Sequence, residues 1–319
     1  MHLLLIFFSI LQIIVLGDFM EKIKTFKTDM ADERVDEYKK VHNLTNIDGI
    51  KVSQDLSLNF AKVVTVEVLN EKGKEALDKE IGKYITIECK DINYLEENEE
   101  EKLVLKINEI LKELIHSDKA SILVVGLGNY EITPDSLGAR VVSKLEITRH
   151  LIKFAKEFLS SDVREISSLV PGVLGSTGIE SKEIIESVVN KISPDVIIVI
   201  DSLMSQSMKR LGKTVQISDK GIVPGAGVGN VREAINEEKL NVPVIAIGVP
   251  LVVESSTIFK ECLEIFNEKN KDYSIDLEEV DFKNVLDSKD ENLIVVSKDI
   301  DEEVENLSDI ISKAINNLK

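Results

Sequence analysis

The chain has 319 residues, 43% of them hydrophobic, enough for a large buried core without a disulfide scaffold. Its formal charge of −18, from 39 basic and 57 acidic residues, repels nucleic acid unless basic groups cluster, and the sequence shows no such cluster. The two cysteines, Cys89 and Cys262, lie in apolar patterns without a CxxC or a nearby histidine, so they read as buried reduced thiols rather than metal ligands.

Residues 3–16, LLLIFFSILQIIVL, are almost wholly apolar, in the manner of a signal-peptide core or a short membrane anchor. Only His2 precedes them, no small-residue cleavage pattern follows Gly17, and Met20 opens an ordinary polar sequence. Residues 1–19 are therefore read as an apolar extension ahead of a start at Met20, with a membrane segment as the alternative. Residues 21–46 are charged and mostly helical in pattern, with Thr28 or Asp29 as candidate caps. Residues 63–69 alternate as a half-exposed strand does, and 84–89, YITIEC, do the same after Gly82. A helical run over 102–115 follows, which makes the sheet mixed at one edge.

The stretch 121–149, SILVVGLGNYEITPDSLGARVVSKLEITR, orders the rest of the chain. An apolar run over 122–125 predicts a buried strand, Gly126-Leu127-Gly128-Asn129 a tight turn, and Leu137, Val141, Val142 and Leu145 a helix that continues to near Ser160. In an open parallel sheet, ligands and catalytic groups collect in the crevice beyond the carboxyl ends of such strands, which is where Asp135 falls. Residues 169–180, with three glycines and a proline, predict a loop with special backbone angles, and Ser181 then caps a helix over 182–192. The β-branched run 196–200 predicts a second buried strand, ending in Asp201. A second glycine-rich segment at 221–230, a helix through Lys239 and a strand over 243–249 complete another βα repeat, closed by residues 250–254. A strand over 293–296 and a terminal helix over 302–318 finish the chain. The expected fold is α/β: a single domain, phosphorylase- or hydrolase-like, with a mostly parallel or mixed central sheet flanked by helices.

Two carboxylates at the ends of neighbouring parallel strands, Asp135 and Asp201, approach one another if they share a crevice. Repulsion then raises one pKa, so that the pair holds a single proton over some pH range. One member deprotonates water while the other donates to a substrate carbonyl, as in an aspartic-type peptidase. The competing reading makes each Asp a helix cap or loop anchor. The GLGN turn invites a nucleotide- or anion-binding module, but it lacks a third glycine at the Rossmann spacing and any GxxxxGK[ST], and Pro134 interrupts the path into the helix. His150 has no second His or Cys placed to share a metal, and Ser176 and Ser202 lack a GxSxG elbow. Asn129, Thr133 and the backbone of the two glycine loops, at Gly172 and Gly225, are the expected supporting donors.

The segments TDMADE (28–33), GKYITIE (82–88), VVGLGNYEITPDSLG (124–138), ITRH (147–150), PGVLGSTGIE (171–180), PDVIIVIDSL (194–203), TVQISDKGIVPGAGVGN (214–230) and VPVIAIGVPLVVE (242–254) together resemble the germination protease family of spore-forming Firmicutes. The resemblance implies an aspartic-type endopeptidase whose two aspartates, in the TPDxLG and IDxL motifs, fall on Asp135 and Asp201. It also implies small acid-soluble spore proteins as substrates and no metal or organic cofactor. A homotetrameric zymogen that removes a presequence upstream of Thr28 is implied as well, which makes residues 20–27 a presequence and 28–319 the peptidase domain. The implied setting is the spore cytoplasm, with neither membrane nor nucleic acid as partner. Ser202, Ala226 and residues 251–254 depart from the family pattern and leave both aspartates in place. A relative of the hydrogenase-maturation peptidases, with metal as a recognition element, is the alternative enzyme.

Overall fold

The computed structural model describes residues 28–155, 157, 163–225, 232–270, 275 and 293–318. The apolar extension, the presequence, the helix end expected near Ser160 and residues 226–231 of the second glycine segment lie outside the described residues.

The chain begins with helix α1 (Ala31–His42), strands β1 (Ile50–Asp55) and β2 (Ala61–Val68), helix α2 (Glu71–Leu77), strand β3 (Gly82–Cys89) and helix α3 (Glu97–Ile115). Then come β4 (Ile122–Gly126), α4 (Leu137–Ser143), α5 (Arg149–Phe154), β5 (Ile166–Leu169), α6 (Leu174–Thr177), α7 (Ser181–Ile192) and β6 (Val196–Met204). The remainder is β7 (Thr214–Ser218), α8 (Glu237–Leu240), β8 (Val244–Glu254), α9 (Ser255–Lys269), β9 (Ile294–Val295) and α10 (Ile300–Asn316).

Among the described residues the strands form one mixed sheet in the order β1-β2-β3-β7-β8-β6-β4-β5, with β9 paired antiparallel to the end of β8. β8, β6, β4 and β5 are mutually parallel, while β1, β2, β3 and β7 run antiparallel to their neighbours. The parallel half has helices on both faces, so its strands are continuous apolar runs. Ile122, Val124, Ile198 and Ile200 share a core with α3 and α10, whereas Leu123, Val125, Ile197 and Val199 pack with Ile185 and Val189 of α7. The α/β class expected from the sequence, with a mixed central sheet flanked by helices, is the observed one.

Several boundaries differ from expectation, each because tertiary pairing overrode a local signal. Ile50–Asp55 and Thr214–Ser218, which carry weak local patterns, are strands because β2, β3 and β8 supply hydrogen-bonding edges for them. The segment expected to be all loop, 169–180, starts on the last residue of β5, which pairs with β4, and contains the short helix α6. β8 runs on through Pro250, and β6 runs past Asp201 to Met204, so Asp201 lies inside its strand rather than at its end. Ser181 is the first residue of α7 rather than its cap, and its hydroxyl donates to the Gly172 carbonyl at 2.9 Å. Neither Thr28 nor Asp29 caps α1; Met30 occupies that position, with its N–H donating to Thr28 Oγ1 at 3.0 Å. Cys89 is buried as expected, but Cys262, on α9, is exposed.

The acidic first turn of α1 anchors the front of the chain. Asp32 and Glu33 both pair with the buried Arg210, just beyond β6. Glu33 also accepts from Ser205 Oγ and from the Gln206 N–H. These contacts hold residues 28–30 alongside the end of β6, where the Asp29 N–H donates to the Met204 carbonyl at 3.1 Å and its Oδ2 accepts from the Met204 N–H at 2.9 Å.

Candidate active site

β4 delivers the chain to Leu127, whose N–H donates to the Ile200 carbonyl at 2.9 Å and locks the turn onto β6. Gly128 then takes φ +93°, and a Cβ there would lie 2.0 Å from the Asp135 carbonyl oxygen and 2.8 Å from Asp135 Oδ1. Only glycine tolerates both the dihedral and the approach. A 3₁₀ turn, Thr133–Asp135, brings the chain back, with Pro134 pre-setting its φ. Asp135 Oδ2 accepts from the Asn129 N–H at 2.9 Å, which closes the loop on itself. α4 starts immediately after, and Gly138 packs so tightly that a Cβ would come 2.6 Å from the Ile200 carbonyl.

Asp201 reaches the same place from within β6. Side chains alternate along a strand, so Asp201 continues the row of Ile197 and Val199. It is 7% exposed, and its Oδ1 accepts from the Ser202 N–H at 2.9 Å. Burial pushes its carboxyl well above the usual range, and the nearby charges of Asp135 and then Asp29 push it further. Asp135 is also raised by burial, but the Asn129 N–H and the positive charge of Arg232 hold its carboxylate down. Burial thus raises both carboxyls, Asp201 the further, while the Asn129 N–H and Arg232 favour the charged form of Asp135.

Both carboxylates line a cavity of about 330 Å³, together with Asp29, Gly128, Gly225 and Arg232. Among the described residues Arg232 is its one basic wall residue, and it also pairs with Glu180 at 3.4 Å. Ser202 is on the wall too, and its buried hydroxyl lacks a hydrogen-bond partner among the described residues.

Of the residues singled out from the sequence, Asp135 and Asp201 come together and Gly225 joins them on the wall. Asn129 contributes its backbone N–H, while its side chain accepts from the Glu131 N–H. Thr133 is turned away, donating to Asp301 of α10 at 2.9 Å. Gly172 stands behind the wall, with φ +76°, and Val173 and Ser181 present the surface there. His150 is exposed. Asp29 and Arg232 were not anticipated. Arg232 had a signal, a cation directly after a glycine-rich segment, whereas the role of Asp29 depends on a partner 175 residues away. Among the described residues no cluster of His, Cys, Asp or Glu is arranged to hold a metal ion, and no helix is long and apolar enough to cross a membrane.

Two carboxylates on one cavity wall, beyond the apolar runs of neighbouring parallel strands, suit a hydrolase that works on polarised carbonyls. The family model described as germination protease matches residues 26–279. The chain is 40% identical over 305 residues to the germination protease of Clostridium perfringens (strain SM101 / Type A), covering 91% of this chain and 94% of that one. It is 42% identical over 246 residues to the germination protease of Priestia megaterium (strain ATCC 12872 / QMB1551), covering 75% of this chain and 66% of the other. The chain belongs to the germination protease family, and it is a peptidase. Among solved structures, a [NiFe] hydrogenase maturation protease HycI from Thermococcus kodakarensis KOD1 aligns over 65% of this chain and 99% of its own, with 17% identity and a TM-score of 0.33, a likeness too slight to carry an argument.

Proposed function

We propose that this peptidase, its domain spanning residues 28–319, cuts small acid-soluble spore proteins during germination, and that Asp135 and Asp201 activate the attacking water. The observation that supports the mechanism is the pair of carboxylates on one cavity wall, where Arg232 favours the charged form of Asp135 and burial favours the protonated form of Asp201. The Asp135 carboxylate takes a proton from water as the water oxygen attacks the peptide carbonyl carbon. Asp201 gives its proton to the carbonyl oxygen, leaving a neutral tetrahedral diol. Asp135 then passes its proton to the leaving nitrogen while Asp201 recovers one from the diol, and the C–N bond breaks. Each positioned proton transfer contributes on the order of 10²–10⁴ in rate.

The family membership supports the substrate class and a homotetrameric zymogen. Self-removal of residues upstream of Thr28 is supported by the position of Asp29 on the cavity wall. The test is cleavage of a purified small acid-soluble spore protein by protein begun at Met20, beside Asp135→Asn and Asp201→Asn, with mass spectrometry of the fragments and of the enzyme's own N-terminus. The parent cuts the substrate and itself, and both variants are inert and unprocessed. Undiminished cutting by either variant removes that aspartate from the mechanism. Sedimentation of the parent at four times the monomer mass checks the tetramer.

A further inference from the structure

β4 gives β6 a neighbour only as far as Gly126, which pairs with Ile200. Beyond that point β6 runs on to Met204 with β8 on its other side. The backbone groups of successive residues in a strand turn to opposite edges. The Ile197 N–H donates toward β8, to the Pro243 carbonyl at 2.9 Å, so Ile200, Ser202 and Met204 turn theirs to the edge that β4 has left.

Two of those three residues are engaged there. The Ile200 carbonyl accepts from the Leu127 N–H at 2.9 Å, and Met204 exchanges bonds of 3.1 and 2.9 Å with Asp29. Ser202, between them, is not. Its N–H is taken by the Asp201 carboxyl at 2.9 Å, and its carbonyl accepts no hydrogen bond among the described residues. Its hydroxyl, which leaves the face of β6 opposite Asp201, is buried and equally unmade. Polar groups left in this state are costly unless something in the cavity completes them.

The shape of the edge says what completes them. From Ile200 to Met204 is about 13 Å of strand. Leu127 closes this lane at one end and Asp29 at the other, which leaves room for a short extended piece of chain rather than a whole added strand. A peptide backbone carries the matching pair of groups, an N–H for the carbonyl and a C=O for the hydroxyl.

We propose that Ser202 is a substrate-binding residue: a polypeptide crossing the cavity enters the lane that β4 leaves on β6, donates one backbone N–H to the Ser202 carbonyl and accepts from the Ser202 hydroxyl at a neighbouring carbonyl. This rests on the peptidase reading of the cavity. Because the contact is to backbone, it seats the chain against Asp201 whatever the side chains.

The test uses a labelled peptide spanning a cut site of a small acid-soluble spore protein. A companion set replaces each backbone amide except the scissile one, singly, by an ester, which removes the N–H and weakens the carbonyl joined to it. Kd is read by fluorescence anisotropy on Asp135→Asn with Ser202 intact, as Ser202→Ala and as Ser202→Thr. KM and kcat are measured on the same three with Asp135 restored, and circular dichroism and thermal melting confirm that each folds. Ser202→Ala weakens binding about fivefold and raises KM with it, the worth of one net hydrogen bond. Ser202→Thr, which keeps the hydroxyl on a residue suited to a strand, regains most of it. The ester that weakens the carbonyl held by the hydroxyl loses its penalty in Ser202→Ala, whereas the ester that removes the N–H keeps its penalty, because the main chain is unchanged. Ester penalties that are all the same in the parent and Ser202→Ala, or a fall in kcat with Kd unmoved, overturn the proposal. If the parent cuts none of the peptides, the spore-protein reading fails by itself. The anisotropy comparison then decides the lane, and the absence of saturable binding overturns it too.

Discussion

Asp201→Asn separates stability from activity in a way that only a buried, proton-sharing aspartate produces. The residue is 7% exposed and faces the charge of Asp135, and these outweigh the Ser202 N–H that its carboxyl accepts, so its folded pKa lies above the unfolded value. A group raised in this way contributes stability that is complete below its unfolded pKa and is lost as pH rises through the folded pKa. The parent therefore loses stability on passing from acid to alkaline pH, as the buried carboxylate is forced to ionise beside its neighbour. The amide is nearly isosteric, keeps the oxygen that accepts from Ser202 and never carries the charge. Two like charges about 4 Å apart at an effective dielectric of 20 repel by about 4 kcal/mol, an upper bound here, and a poorly satisfied buried polar group costs about 1–3 kcal/mol. Asp201→Asn is thus expected to match the parent near pH 4 and to exceed it by about 1–3 kcal/mol at pH 8, while peptide cleavage is lost. Urea unfolding across that pH range checks it. A variant less stable than the parent by the same amount at every pH would mean that Asp201 is an ordinary hydrogen-bonded carboxylate and would remove the shared proton from the mechanism.

Arg232→Gln withdraws a charge that favours the Asp135 carboxylate, so the acid limb of the pH–rate profile moves to higher pH; an unmoved limb would show that Arg232 acts elsewhere. Gly128→Ala must place a Cβ 2.0 Å from the Asp135 carbonyl at φ +93°. It should cost about 1–3 kcal/mol of stability and displace Asp135, with a matching fall in turnover measured on the same preparations. Cys262 is exposed and Cys89 is buried with its thiol pushed up to about 12 by burial and then Glu88. A thiol reagent at pH 8 should therefore label Cys262 rapidly and Cys89 only after unfolding, as read by mass spectrometry of the digested protein.

Much of the parallel half of the sheet was legible because its signals are local. Unbroken β-branched runs at 122–125 and 196–200 mark strands buried on both faces, and glycines after the first mark the turn that returns Asp135. Two strands of the antiparallel half were less legible. Ile50–Asp55 and Thr214–Ser218 are strands because neighbouring strands offer them hydrogen-bonding edges, a condition no window of sequence contains. The same holds for the extension of β6 past Asp201, which pairs it opposite Gly248 of β8 and buries it.

The residue types of the proposed chemistry, two aspartates following apolar strands and glycines where the backbone turns sharply, were determined by the sequence alone, since propensity and hydrophobic period act over a few residues. Which groups share the cavity was decided by the fold. Asp29 arrives there because Arg210 grips the first turn of α1, and Thr133 leaves because α10 offers it Asp301. Each depends on elements far apart in the chain meeting in space, and charge, burial and hydrogen bonding act through that space rather than along the sequence.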